Sequence, residues 1–227
     1  MTNNKMLSLF AIGGVLLLFA GTWLHPMHAD PNLPAAAFAE YAADRLWIAS
    51  HLLQLLGAAG ILGALMLLGR VLADGRGQSV AALASAGAIA SLAIAAALQA
   101  VDGVALKAMV NAWAAADGPE KSSLFHATFA VRQVEAGLAA MASLLFGVTV
   151  SLFGIALLLD RRFPTWLGIV GLIGGGGTAI AGIAIAYTGF SELAMIINMP
   201  ASILLLLWMI ALGVIVWSKP AQAVPAV

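Results

Sequence analysis

The sequence predicts an all-α polytopic membrane protein: a bundle of six transmembrane helices, N-in and C-in, with helices 3 and 4 extended beyond the outer membrane surface. Two observations carry this. Of 227 residues, 63% are hydrophobic and 9% charged, with a mean hydropathy of +1.03, whereas a soluble domain is about 45–50% apolar and about 25% charged. Uncharged apolar runs of bilayer length also recur along the chain, a hydrocarbon core of about 30 Å needing about 20 residues per helix. Ten basic and ten acidic side chains cancel, which leaves no electrostatic footprint for a nucleic acid. The absence of cysteine excludes disulfides, thiolate metal sites, iron–sulfur clusters and covalent c-type haem.

The first span covers about 5–24. Lys5 and the apolar run after it open like a signal peptide, but the run exceeds an h-region of about 7–15 residues and no A-x-A site follows before His25, so an uncleaved span is expected. Pro26, Asp30, Pro31 and Pro34 then end the helix and hold the chain extended, with a short surface helix expected from Glu40 to Arg45. The remaining spans are 46–68, 80–101, 137–159, 166–187 and 201–217, all within a single membrane domain of residues 1–227. Between the third and fourth spans, residues 102–136 stay helix-compatible and form an outer hairpin closed by Asp117-Gly118-Pro119-Glu120.

Charge sets the orientation. Lys5, Arg70, Arg76, Arg161, Arg162 and Lys219 fall on one side with Asp74 and Asp160, against Arg45, Lys107, Lys121 and Arg132 with the other eight carboxylates. Positive-inside counting places the first group in the cytoplasm. Small residues at helical spacing, among them Gly60 with Ala64, Gly87 with Ser91, Gly171 with Gly175 and Gly182 with Ala186, let helices approach closely. They predict a tightly packed monomer, or a homodimer through one such face. The Gly174 to Gly177 run, costly in a helix interior, predicts a close helix crossing.

Counting about 20 residues outward from Arg70, Ser79, Asp160 and Trp166 brings His51, Gln99, Ala140 and Ala186 to one level. Polar side chains from several helices can meet there. His51, Gln54, Gln99, Asp102, Lys107, Arg132, Glu135 and Tyr187 are the candidate ligand-binding residues, because ionisable groups beside spans pair with one another or line wet cavities. Arg132 and Glu135 suit a local i,i+3 ion pair, and Asp102 to Arg132 and Lys107 to Glu135 are cross-helix options. Two readings stand open: ion pairs that keep the hairpin helices in register, or a pocket in which Arg132 clamps an anionic group while His51, Gln54 and Gln99 supply hydrogen bonds. His25, His28 and His51 with a carboxylate could reach one ion, but solvent-facing loop histidines account for His25 and His28. No metal and no cofactor is therefore expected. A bis-histidine haem fails on height, since His126 lies about 14 residues, or about 21 Å, beyond the level of His51.

Phosphate loops, the G-x-S-x-G elbow and H-E-x-x-H are absent from the sequence. No acidic residue lies near the middle of a span, which disfavours ion-coupled transport. The segments Trp47 to Gln54 (WIASHLLQ), Gln99 to Trp113 (QAVDGVALKAMVNAW), Val131 to Gly137 (VRQVEAG) and Phe163 to Gly168 (FPTWLG) resemble those of bacterial multi-pass membrane proteins of about this length, grouped as a domain of unknown function. That resemblance covers most of the chain and implies a bacterial inner-membrane setting and six helices, with no activity or functional residues attached. The expected function is a non-enzymatic inner-membrane protein whose outward-facing polar pocket binds a small molecule or lipid headgroup, or docks a partner. A membrane-embedded enzyme using His51 with Asp102 or Glu135 is the alternative, and a structural subunit packed against another membrane protein is the third reading.

Overall fold

The computed structural model describes residues 3–219. Its helices are α1 (Asn3–Leu24), α2 (Pro34–Ala43), α3 (Trp47–Val71), α4 (Gln78–Gln99), a π-helical segment (Ala100–Leu106), α5 (Lys107–Ala115), α6 (Gly118–Leu159), α7 (Thr165–Thr188) and α8 (Glu192–Trp217). Six of the resulting rods are long and apolar enough to cross a membrane, with α4, the π-helical segment and α5 forming one of them. The six-span, all-helical architecture predicted from hydropathy is what the chain adopts.

These six rods form a closed ring in chain order, each packing on the next and α8 returning to α1. The shared core contains Leu7, Leu65, Leu68, Phe153, Leu167, Trp208 and Leu212. Trp208 is buried with its indole N–H donating to the Leu167 carbonyl at 2.7 Å, so its one polar atom is satisfied. Leu16, Phe19, Ile173, Ile196 and Leu207 point outward, each more than half exposed. Such a continuous apolar exterior suits lipid and not water.

Glycines set the helix separations where backbones meet. A Cβ on Gly174 would lie 2.5 Å from the Leu205 side chain on α8, and one on Gly175 would lie 2.6 Å from the Gly147 carbonyl on α6. The glycine run is thus a close crossing on two sides of α7.

At about 1.5 Å per residue the 42 residues of α6 extend about 63 Å, roughly twice a hydrocarbon core. Its first half is thus length beyond what one crossing needs, and with α5 it forms the expected helical hairpin. It turns at Ala116 and Asp117, with Gly118 at φ +57° opening α6.

The short surface helix lies at Pro34–Ala43, earlier in the chain than the expected Glu40 to Arg45. Pro34 is read as a breaker in the sequence, but it occupies the first helical turn, where its missing N–H costs nothing and its φ is already helical. Ala37, Phe38 and Tyr41 of α2 pack on Trp47, Leu106 and Val110, making a second small core on the hairpin. Three ties hold this cap. The Glu40 carboxylate accepts from the backbone N–H groups of His28 and Ala29 at 3.0 and 2.8 Å. Asn32 Nδ2 donates to the Phe190 carbonyl at 3.1 Å. Lys107 Nζ donates to the carbonyls of Tyr41, Ala42 and Asp44 at 2.6, 3.0 and 2.7 Å, a cation on the orphan carbonyls at the end of α2.

At the opposite end, where α1 begins and α8 ends, the buried Asp160 carboxylate accepts from Arg162 Nε at 2.9 Å and from the Arg162 backbone N–H at 3.0 Å, while the guanidinium also donates to the Val71 carbonyl at 3.0 Å. The Arg162 hydrogen bond, aided by the nearby Lys219 charge, holds the Asp160 carboxyl below its ordinary range. A depressed folded-state pKa means the stabilisation is present above the unfolded value and is lost as pH falls through the folded one. Asp160→Asn is expected to cost roughly 1–2 kcal/mol at neutral pH. The gap to wild type should narrow once pH drops below about 4. Thermal unfolding in detergent across that range checks both, and a gap independent of pH would remove the ion pair from the account.

Candidate functional site

The site forms where α3 and the π-helical segment meet beneath the cap. Trp47 opens α3, and its indole N–H donates to the backbone carbonyl of Asp102 at 3.0 Å. One turn later His51 is 2% exposed. Its Nδ1 lies 2.7 Å from the Trp47 carbonyl. A carbonyl can only accept, so Nδ1 carries the proton and Nε2 presents the lone pair.

That lone pair faces a carboxylate. His51 Nε2 is 3.1 Å from Asp102 Oδ2, yet it makes no hydrogen bond of acceptable alignment among the described residues, and Asp102 Oδ1 is likewise buried without a partner. Two structural features bring the pair together. A π-helical turn carries one residue more than an α-turn and re-aims the side chains on it; here it spans Ala100–Leu106 and contains Asp102. Gly103 permits the approach, since a Cβ there would lie 2.6 Å from the His51 Cβ.

Below the pair, Gln99 Nε2 donates to Gln54 Oε1 at 3.2 Å. Gln99 Oε1 is buried and unpartnered. His51, Gln54, Gln99 and Asp102, four of the candidate residues, therefore lie together, and the shared level of His51 and Gln99 is the one that helical rise predicts.

His25 departs from its expected place as a solvent-facing loop histidine. Pro26 stops α1 and folds the ring inward, so that its centroid lies 5.0 Å from that of His51, 4.8 Å from Trp47 and 6.4 Å from Tyr41. His25 Nδ1 lies 2.8 Å from the Pro26 carbonyl, which again leaves the lone pair on Nε2. Burial, and then the neighbouring His51, push the His25 imidazole below its ordinary pKa, keeping it neutral at pH 7. His28 stays exposed. One ligand atom from each of His25, His51 and Asp102 can be chosen so that all three lie within 4.8 Å of one another.

The remaining predicted residues sit around this cluster and are already engaged. Arg132, 9% exposed, pairs with Glu135 on its own helix, as the i,i+3 spacing suggests. Its guanidinium also lies 5.8 Å from the Tyr41 ring centre and 4.8 Å from that of Phe190. Neither cross-helix pairing is made: Lys107 binds the end of α2 instead. Tyr187 is 86% exposed and stands outside the buried cluster. A hollow of about 400 Å³ is lined by Ala39, Ala42, Ala43, Trp113, Ala114 and Lys121, and by none of the candidate residues.

Sequence reasoning set His25 aside as a loop histidine, and missed Trp47 and the π-helical turn. The Asp102-Gly103 step inside an otherwise helical run is the one local signal for that turn, both residues being poor in helix interiors.

No curated protein and no solved structure matches the chain. A family profile does match over residues 8–213, nearly the whole chain, and the protein belongs to that family, described as a domain of unknown function (DUF4386).

Proposed function

We propose that this is a multi-pass protein of the bacterial inner membrane, with both termini in the cytoplasm, that binds a small cationic or hydrogen-bond-donating ligand beneath its outer cap. The basic residues Lys5, Arg70, Arg76, Arg161, Arg162 and Lys219 favour a cytoplasmic location for the terminal end. The single observation that carries the binding reading is that three of the four buried, unpartnered side-chain atoms among the described residues fall in this cluster: His51 Nε2, Asp102 Oδ1 and Gln99 Oε1, the fourth being Asp44 Oδ2. With His51 in the tautomer its neighbour dictates, all three are acceptors. Leaving buried acceptors unmet costs about 1–3 kcal/mol each, and a ligand offering N–H groups or positive charge satisfies them. Arg132 is engaged by Glu135 and two aromatic rings, which weighs against an anion as that ligand.

Binding is favoured over acid–base catalysis because His51 is 2% exposed, with Nδ1 held by a backbone carbonyl and the Nε2 lone pair facing the Asp102 carboxylate at 3.1 Å. A general base must present one nitrogen to its substrate.

The test is a thermal-shift series on the full chain in nanodiscs. Methylammonium and guanidinium should stabilise the wild type, phosphate and sulfate should not, and Asp102→Asn should abolish the effect. A lipid ammonium headgroup offers the same chemistry, and repeating the series with and without phosphatidylethanolamine separates lipid from free amine. Equal stabilisation by anions, or by nothing, would overturn the reading.

A further inference from the structure

We infer that His25, His51 and Asp102 form a binding site for a single divalent first-row transition-metal ion, with Zn²⁺ the best fit. The inference rests on the reading of this cluster as the ligand site and names the class of its ligand.

The argument begins with the lone pairs. Both imidazoles place Nδ1 against a main-chain carbonyl, His51 on Trp47 at 2.7 Å and His25 on Pro26 at 2.8 Å. Each ring is thereby fixed with its proton on Nδ1 and its lone pair on Nε2. An outer hydrogen bond from the far ring nitrogen to a carbonyl is the arrangement that orients a metal-ligating histidine and raises its basicity. In this site it occurs twice, on two rings whose centroids are 5.0 Å apart.

Next comes the mismatch that these tautomers create. A lone pair on His51 Nε2 stands 3.1 Å from a carboxylate oxygen of Asp102, acceptor against acceptor, in a site where His51 is almost fully buried. No lysine or arginine among the described residues forms an ion pair with Asp102. A cation between the two groups relieves the repulsion and satisfies His51 Nε2 and Asp102 Oδ1 together.

Geometry and donor chemistry select the ion. Zn–N and Zn–O bonds of about 2.0–2.1 Å set tetrahedral ligand atoms about 3.3 Å apart. The His51–Asp102 separation already meets this. One ring nitrogen of His25 lies within 4.8 Å of the other two ligand atoms, and the residue sits in the loop that follows α1, where a small adjustment brings it to the ion. Two imidazoles and one carboxylate suit Zn²⁺, Cu²⁺ and Fe²⁺, and the absence of cysteine disfavours soft Cu⁺. Three protein ligands leave a fourth position for water or a further ligand, as in open zinc sites.

Zn²⁺ titrated against a chromophoric chelator, with the EDTA-stripped full chain in nanodiscs, should show one ion per chain. His25→Gln and Asp102→Asn should each weaken binding about 100-fold or more, while His28→Gln and His126→Gln leave it unchanged. His25→Gln acts at the loop ligand and spares the buried His51, so the outcome does not hinge on a variant that fails to fold. Cu²⁺ EPR adds a direct readout: two imidazole nitrogens in the wild type, one in His25→Gln. Absence of stoichiometric binding, or affinity unchanged in His25→Gln and Asp102→Asn, overturns the metal site. In that event, methylammonium stabilisation that is lost in Asp102→Asn leaves the cation-binding reading standing, and its absence removes both.

Discussion

Gly57→Ala is expected to cost at least about 3 kcal/mol, at or beyond the upper end of the usual overpacking penalty, and Gly57→Leu to abolish the folded bundle. A Cβ on Gly57 would lie 2.4 Å from the Leu18 backbone nitrogen and 2.7 Å from its Cα. The contact is mutual along the α1–α3 interface, since a Cβ on Gly14 would meet the Ile61 nitrogen at 2.6 Å and one on Gly21 the Ser50 carbonyl at 2.6 Å. Backbone atoms cannot rotate away as a side-chain tip can, so the two helices have to separate along their length. In lipid that separation forfeits van der Waals contact without any hydrophobic compensation. Against a total stability of about 5–15 kcal/mol, the loss is large. Gly13, Gly137 and Gly176 have nothing within 4 Å of a built Cβ, and alanine there should be neutral or stabilising by up to about 1 kcal/mol through helix propensity. Reversible unfolding of the four alanine variants in mixed micelles gives the comparison. A Gly57→Ala protein that behaves like Gly13→Ala would refute the contact. The same geometry bears on self-association. Gly171 faces Trp208, with its built Cβ 3.1 Å from the indole, and Gly175 faces α6, so both already serve contacts within one chain.

Fold and site were legible in the sequence to different depths. Hydropathy finds the spans because bilayer thickness imposes a length that composition records directly. The shared level of His51 and Gln99 was readable because axial rise is a constant of the helix. Facing is harder to read. Each residue turns the helix by about 100°, so an error of one position in phase moves a side chain from core to lipid. Tyr187 illustrates this: counting puts it near the right level, yet it is 86% exposed. The π-helical turn shifts the phase again, and it carries Asp102 toward His51 in a way that no regular helical count anticipates. His25 was misplaced for another reason. Pro26 ends a helix in any reading, but the direction taken afterwards depends on Trp47 and Tyr41, which are distant in sequence. Pro34 was read as a breaker because the same ring chemistry serves both to stop a helix and to start one.

Arg132→Ala should destabilise the protein by about 3–5 kcal/mol, the cost of stranding a buried partner charge. Glu135 is 3% exposed and pairs with Arg132 one helical turn away; burial, and then the Asp102 charge, push its carboxyl pKa up to about 8 even beside the guanidinium, and without Arg132 it must be held protonated in the fold. The guanidinium also spans the rings of Tyr41 on α2 and Phe190 in the α7–α8 loop, so part of the loss should appear locally, as faster proteolysis of the cap segment 25–46. The paired replacement Arg132→Met with Glu135→Leu separates these contributions. Apolar side chains of similar length restore packing without the desolvation cost of two buried ions, and such exchanges are often neutral or stabilising. The double variant should therefore recover most of the global stability lost in Arg132→Ala. Cap protection should return only as far as methionine can replace the guanidinium stacked on Tyr41 and Phe190. A cost below about 1 kcal/mol for Arg132→Ala would place the pair among ordinary surface ion pairs. The variant also decides the role of Arg132 in binding. If phosphate stabilises the wild type and that effect vanishes in Arg132→Ala, the guanidinium clamps an anion after all. If ammonium stabilisation survives in the folded double variant, the ion pair holds the cap over the site and the ligand contacts are made by His51 and Asp102.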